Sequence, residues 1–143
     1  MKSLPTLPIP IDILEQYVIK NTHPRRVVLR VLLVATQPLT VEDIYQKTIK
    51  DGLNEVTVYR TLNTFVEKGI VRQLFLDDRS AYFEYENKQK HHHHLVCTNC
   101  RKVVDFAYCP LPSLKKNVST TLSTIQKHTL EIFGICKPCS RVA

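Results

Sequence analysis

Asn54-Glu55-Val56-Thr57-Val58-Tyr59-Arg60-Thr61-Leu62-Asn63-Thr64-Phe65-Val66-Glu67-Lys68-Gly69 reads as one amphipathic helix with a start, a buried face and a stop. Val58, Leu62, Phe65 and Val66 recur at i, i+4, i+7 and i+8, which lines one side of an α-helix. Asn54 is a candidate N-cap, and Gly69 falls where helices commonly end in left-handed backbone. Behind it, residues 70–76 and 81–86 have strand composition and are joined by the turn-rich Asp77-Asp78-Arg79-Ser80. Ahead of it, Thr40-Val41-Glu42-Asp43 fits a capping box with Asp in place of the usual Glu or Gln, opening a helix over 40–50 that Asp51-Gly52 stops. Residues 25–36 form a largely buried helix through Val28, Leu29, Leu32 and Leu33, with Pro24 suited to its first turn and His23 a helix-start residue. A shorter helix is expected over 11–20, with Asp12 as its cap. Three helices followed by a two-stranded hairpin make a winged helix-turn-helix pattern.

Asn87-Lys88-Gln89-Lys90 is the best linker candidate, and beyond it the pattern changes. A histidine run and a cysteine pair come first, then a strand over 102–106 and a helix over 111–127. A strand over 128–133 and a second cysteine pair close the chain. Cys97-Thr98-Asn99-Cys100 and Cys136-Lys137-Pro138-Cys139 each have the spacing at which one tight turn aims two sulfurs at one ion. Gly134 and Pro138 suit such turning. Two such knuckles complete a closed tetrahedral zinc site with no position left for substrate, so a structural zinc is expected. Independent buried cysteines fit the paired spacing poorly, and a redox role lacks the βαβ setting of a thioredoxin-like C-x-x-C. Cys109 stands outside both pairs and reads as a packed or partly exposed thiol.

His91-His92-His93-His94 runs directly into the first knuckle. In extended backbone alternate side chains face opposite ways, so His92 and His94 would share one face and His91 and His93 the other. One short run can thus serve two metal sites with imidazole donors. His128, alone on the last strand, is a weak signal by itself.

The chain carries a net charge of +7 and has a pI near 9.3, which allows a polyanionic partner without choosing among DNA, RNA and membrane. No apolar run approaches the roughly 20 residues of a membrane span. Residues 1–10 hold Pro5, Pro8 and Pro10 and no apolar core, so no signal peptide is expected and the expected location is cytoplasmic. Reduced thiols there favour metal binding over disulfides.

Four ordered motifs resemble the ferric uptake regulator family, over nearly the whole chain. Thr22-His23-Pro24-Arg25 resembles the start of the first winged-helix helix, and Thr57-Val58-Tyr59-Arg60-Thr61-Leu62 the recognition-helix signature. The run from His91 to Cys100, with Lys102-Val103-Val104-Asp105-Phe106, resembles the metal-binding core. Leu130-Glu131-Ile132-Phe133-Gly134-Ile135-Cys136 resembles the closing strand and knuckle.

The resemblance implies an α+β chain: a winged-helix DNA-binding domain over 1–86, a hinge at 87–90, and a small α/β dimerisation domain with the four-cysteine zinc site over 91–143. It implies a homodimeric repressor that binds palindromic double-stranded operator DNA when a divalent metal occupies a hinge site, with no catalysis and no small-molecule substrate. Cys97, Cys100, Cys136 and Cys139 match the structural zinc ligands. Glu84, His92, His94 and Asp105 match the regulatory site. His91, His93 and His128 match a second site, and Tyr59, Arg60 and Lys20 match DNA-facing residues. Beside them, Arg25 is expected to contact phosphate and Thr57 a base edge or thymine methyl. The regulatory metal is expected to be Fe(II) or Zn(II), with Mn(II) a further candidate.

Three departures bear on this. Gln37-Pro38-Leu39 stands where a further hinge histidine is usual, and Pro112 stands where the second site usually takes a Glu. Glu84 and Arg72 replace the Cys and Asp of zinc-sensing members. Two rival readings follow: a regulator blind to metal with a purely structural zinc, and a zinc hydrolase. The hydrolase has no H-E-x-x-H or comparable constellation to support it.

Overall fold

Asn54 caps helix α4 (Glu55–Glu67) by accepting a hydrogen bond from the Thr57 N–H at 2.8 Å, and Gly69 leaves it with φ 71°. Val58, Leu62 and Phe65 are fully buried on its inner face. They pack with Val28 and Leu29 of α2 (His23–Val34) and Ile44 of α3 (Val41–Thr48) into one core. Thr40 and Asp43 form the expected capping box, the Asp43 carboxylate accepting from the Thr40 N–H at 2.9 Å. A 3-10 turn, Ile49–Asp51, and Gly52 at φ 77° join α3 to α4, the helix-turn-helix corner.

The computed structural model describes residues 10–76, 79–87, 91–118 and 120–142. The expected linker positions 88–90, the turn residues Asp77 and Asp78, and residues 1–9 lie outside the described residues. The chain divides into two compact units, Met1–Glu86 and Asn87–Ala143. The architecture is α+β.

In the first unit α1 (Pro10–Gln16) is shorter than the expected 11–20. Val18 takes left-handed backbone with φ 54°, and the Ile19 N–H reaches back to the Leu14 carbonyl at 2.8 Å. This is a Schellman-type ending with valine where glycine is usual. Burial of Ile19 beneath the turn supplies the compensation. The wing is β2 (Val71–Leu74) antiparallel to β3 (Tyr82–Tyr85), with Arg72 opposite Glu84. A third strand, β1 (Leu39–Thr40), pairs antiparallel with β3 through Leu39 and Phe83, giving the order β1-β3-β2. Two residues are too short for an alternation pattern, so β1 left no sequence signal.

The second unit is a sheet of order β5-β4-β6, built from β4 (His93–Cys97), β5 (Val103–Phe106) and β6 (Glu131–Gly134). β5 is antiparallel to β4, whereas β6 is parallel to it with Cys97 opposite Gly134. That parallel register delivers both cysteine knuckles to one end of the sheet, the second on the short helix α6 (Lys137–Ser140). The helix expected over 111–127 ends early, as α5 (Leu111–Val118). Thr120 Oγ1 donates to the Asn117 carbonyl at 3.1 Å, the local competition by which hydroxyl side chains stop helices. The last strand is likewise displaced, starting at Glu131 rather than 128.

Among the described residues of this unit, Val96, Cys97 and Val103 are the buried hydrophobics, and none of α5 is buried. Val104, Leu95 and Ile132 lie side by side across the three strands yet are 45%, 40% and 47% exposed. The unit therefore carries an apolar face that its own chain does not cover.

Candidate metal centres and nucleic-acid interface

The β4–β5 turn forms the first knuckle. Arg101 N–H donates to the Cys97 carbonyl at 2.9 Å with Arg101 in left-handed backbone, and the Thr98 N–H reaches the Gly134 carbonyl at 2.8 Å. Cys136 caps α6 and begins the second knuckle. The four sulfurs of Cys97, Cys100, Cys136 and Cys139 all lie within 4.8 Å of one another, and Cys100 Sγ is 3.7 Å from Cys136 Sγ. A zinc–sulfur bond of about 2.3 Å gives a tetrahedral edge of about 3.8 Å, so the cluster already has the dimensions of a four-sulfur zinc site.

Its electrostatics call for a cation. Backbone N–H groups of Cys100, Cys136 and Asn99 point at the Cys97 sulfur and lower its pKa to about 6, the Cys136 N–H at 3.3 Å. The neighbouring sulfurs of Cys136 and Cys100 push Cys139 up to about 12. Without a central cation, one thiolate discourages the next.

The histidine run enters β4 with alternating faces. His92 and His94 rings are 5.2 Å apart between centroids, and His94 Nε2 lies 3.7 Å from an Asp105 carboxylate oxygen across the β4–β5 pair. His94 is buried and Asp105 half exposed. On the other side His91 Nε2 and His93 Nε2 are 3.0 Å apart, and the His128 ring lies 4.6 Å from that of His91 and 5.3 Å from that of His93. His128 is thus brought to the run although it precedes β6. Cys109 joins the same cluster, its Sγ 3.2 Å from His128 Nε2. The sequence pattern alone puts Cys109 outside every site. The nineteen-residue separation from His128 carries no motif, and only the fold closes it.

In the first unit Glu84 projects from the wing against Arg72, whose Nε donates to Glu84 Oε1 at 2.8 Å and also lies 3.5 Å from Glu86. The outward side of α4 presents Val56, Tyr59, Arg60 and Asn63 at helical spacing. Tyr59 is 53% exposed, and Thr57 is half-buried. Lys20 is exposed, and Arg25 donates to its carbonyl at 2.8 Å, so these two basic groups stand together at the start of α2. His23 is the first residue of α2 and hydrogen-bonds the Asp51 carbonyl at 3.0 Å, a structural role.

A profile of the ferric uptake regulator family matches residues 16–133. The chain belongs to the ferric uptake regulator family. This family member is 33% identical over 129 residues to the peroxide-responsive repressor PerR of Staphylococcus aureus strain Mu50, covering 88% of this chain and 86% of that protein. Its fold is similar to the Vibrio cholerae ferric uptake regulator, with TM-score 0.74 and 32% identity over 87% of this chain and 98% of that one. It is also similar to the Helicobacter pylori regulator Fur, described as having three functional metal-binding sites. There the TM-score is 0.76 and the identity 25%, over 98% of this chain and 97% of that one. Among the described residues no helix is long and apolar enough to cross a membrane.

Proposed function

We propose that this family member is a cytoplasmic, metal-responsive repressor that binds palindromic operator DNA as a homodimer and catalyses no reaction. The observation that carries the metal-responsive part is the alternation of the histidine run, which puts a donor pair on each side of the chain as it enters β4. The four cysteines fit a structural zinc, and such binding contributes on the order of 10 kcal/mol to the folding of small zinc modules. His92, His94 and Asp105, with Glu84 from the first unit, are assigned to the regulatory site. His91, His93 and His128 are assigned to a second site. A divalent ion, when bound, would be a Lewis acid toward which neutral imidazole nitrogens and carboxylate oxygens donate, so these residues would converge on it.

The regulatory assignment rests on the family resemblance and on donor chemistry. Ligands drawn from both units couple metal binding to the arrangement of two recognition helices in a dimer, which must meet successive major grooves. The ion then acts by population shift, in proportion to its preference for the binding-competent state. Tyr59 and Thr57 on α4 are assigned to base edges and thymine methyls. Arg60, Arg25 and Lys20 are assigned to phosphates.

The test uses duplex DNA recovered by selection from a random library with the zinc-loaded protein. Binding to it is titrated anaerobically with Zn(II), Fe(II) and Mn(II). Metal-dependent tightening that Glu84→Ala or His92→Ala abolishes, with the dimer intact, supports the reading. Equal binding with and without added metal leaves a metal-blind regulator. Challenge of the Fe(II)-loaded complex with hydrogen peroxide tells whether the likeness to a peroxide-responsive repressor extends to the signal.

A further inference from the structure

We infer that Cys109 is the fourth ligand of the second metal site, making it a closed three-histidine, one-thiolate site selective for zinc. This rests on the assignment of His91, His93 and His128 to that site. Residue 112, where the family resemblance puts a carboxylate, is proline and has no donor. The fold supplies a donor from three residues earlier. Cys109 Sγ approaches His128 Nε2 at 3.2 Å, and one atom from each of His91, His93, Cys109 and His128 lies within 4.8 Å of the others.

The dimensions suit one small cation. Zinc bonds of about 2.05 Å to nitrogen and 2.3 Å to sulfur set tetrahedral edges of about 3.3 Å for N···N and 3.6 Å for N···S. The His91–His93 and Cys109–His128 separations are 3.0 and 3.2 Å, so a cation needs to spread the cluster only slightly. His93 is 2% exposed on its strand, Cys109 and His128 are half-buried and His91 is exposed, so the cluster is anchored from the buried side and open to an arriving ion at His91.

A thiolate in place of a carboxylate changes which metal is held. Soft sulfur favours zinc over the harder Mn(II) and Fe(II), and four protein ligands satisfy tetrahedral Zn(II) while leaving an octahedral ion short. The site is therefore a resident zinc position, not a second sensor of Fe(II) or Mn(II).

Cobalt(II) reports sulfur ligation directly. The full-length chain with zinc retained in the four-cysteine site, verified by elemental analysis, is titrated anaerobically with Co(II). A near-ultraviolet thiolate-to-cobalt band with the strong visible bands of four-coordinate cobalt is expected. Because the other four sulfurs are occupied, that band has one source. Cys109→Ala should abolish it and weaken cobalt binding at this site at least tenfold. Cys109→Asp should restore binding without the band. Cobalt that binds at His128 but gives the same band-free spectrum in wild type and Cys109→Ala overturns the role of Cys109 and leaves a three-histidine site standing. Cobalt uptake unchanged by His91→Ala and His128→Ala overturns both.

Discussion

Arg72 holds the Glu84 carboxylate across the wing, with both side chains mostly buried at 16% and 12% exposure. Any cation that recruits Glu84 must compete with this guanidinium. Arg72→Gln should therefore tighten metal binding at the regulatory site several-fold, read as a lower metal concentration at half-maximal operator binding. A weaker or unchanged midpoint would show that Glu84 serves the wing alone. Arg60 is exposed on α4, and its proposed role toward phosphate is electrostatic. Arg60→Ala should weaken DNA binding and lower the slope of log affinity against log salt by about 1, with metal affinity unaltered. At this scale the sequence was most legible where ligands are neighbours in the chain, as in the two C-x-x-C pairs and the histidine run. Cys109 was illegible because its partner is reached through tertiary structure.

Helices α3 and α4 were legible because each carried its own punctuation: Thr40 with Asp43, Asn54, Gly52 and Gly69. Where punctuation was absent the boundaries moved. α1 ends on Val18, an 89% exposed β-branched residue in left-handed backbone, a conformation costing roughly 1–2 kcal/mol for non-glycine residues. Val18→Gly should raise the unfolding free energy by about 0.5–1 kcal/mol, the remainder offset by the greater freedom of glycine in the unfolded chain. A urea midpoint that does not rise would mean the Val18 side chain contributes contacts the turn needs. α5 stopped nine residues short of the expected 127 because no cap in the sequence marked where hydroxyl residues take over.

At the scale of the molecule the two units differ in how they are held. The first encloses a core through Leu14, Val28, Ile44, Val58, Leu62 and Phe65. The second buries three apolar residues among those described and leaves Leu95, Val104 and Ile132 open in a row. In the proposed homodimer, we assign the second copy of the chain to that face. Lysine there places a charge in the buried centre of the interface, so Leu95→Lys should convert dimer to monomer in sedimentation while α-helical ellipticity is largely kept. A dimer that survives would put the interface elsewhere. Helix periodicity announced the first unit plainly. The second unit, with few buried apolar residues among those described, left little periodic trace, and its fold was read from motifs instead.

The parallel pairing of β4 with β6 also orders events in time. The first knuckle forms from residues three apart, but Cys100 and Cys136 are separated by 36 positions, and contacts across such spans are made late in folding. A chain that folds in this order would hold half a zinc site until the last strand arrives to close it. Maturation of the second unit should then depend on the supply of zinc as well as on chain closure, and that of the winged-helix unit should not. On the proposed function, a newly made chain would then hold its DNA-reading half before the half that pairs and responds.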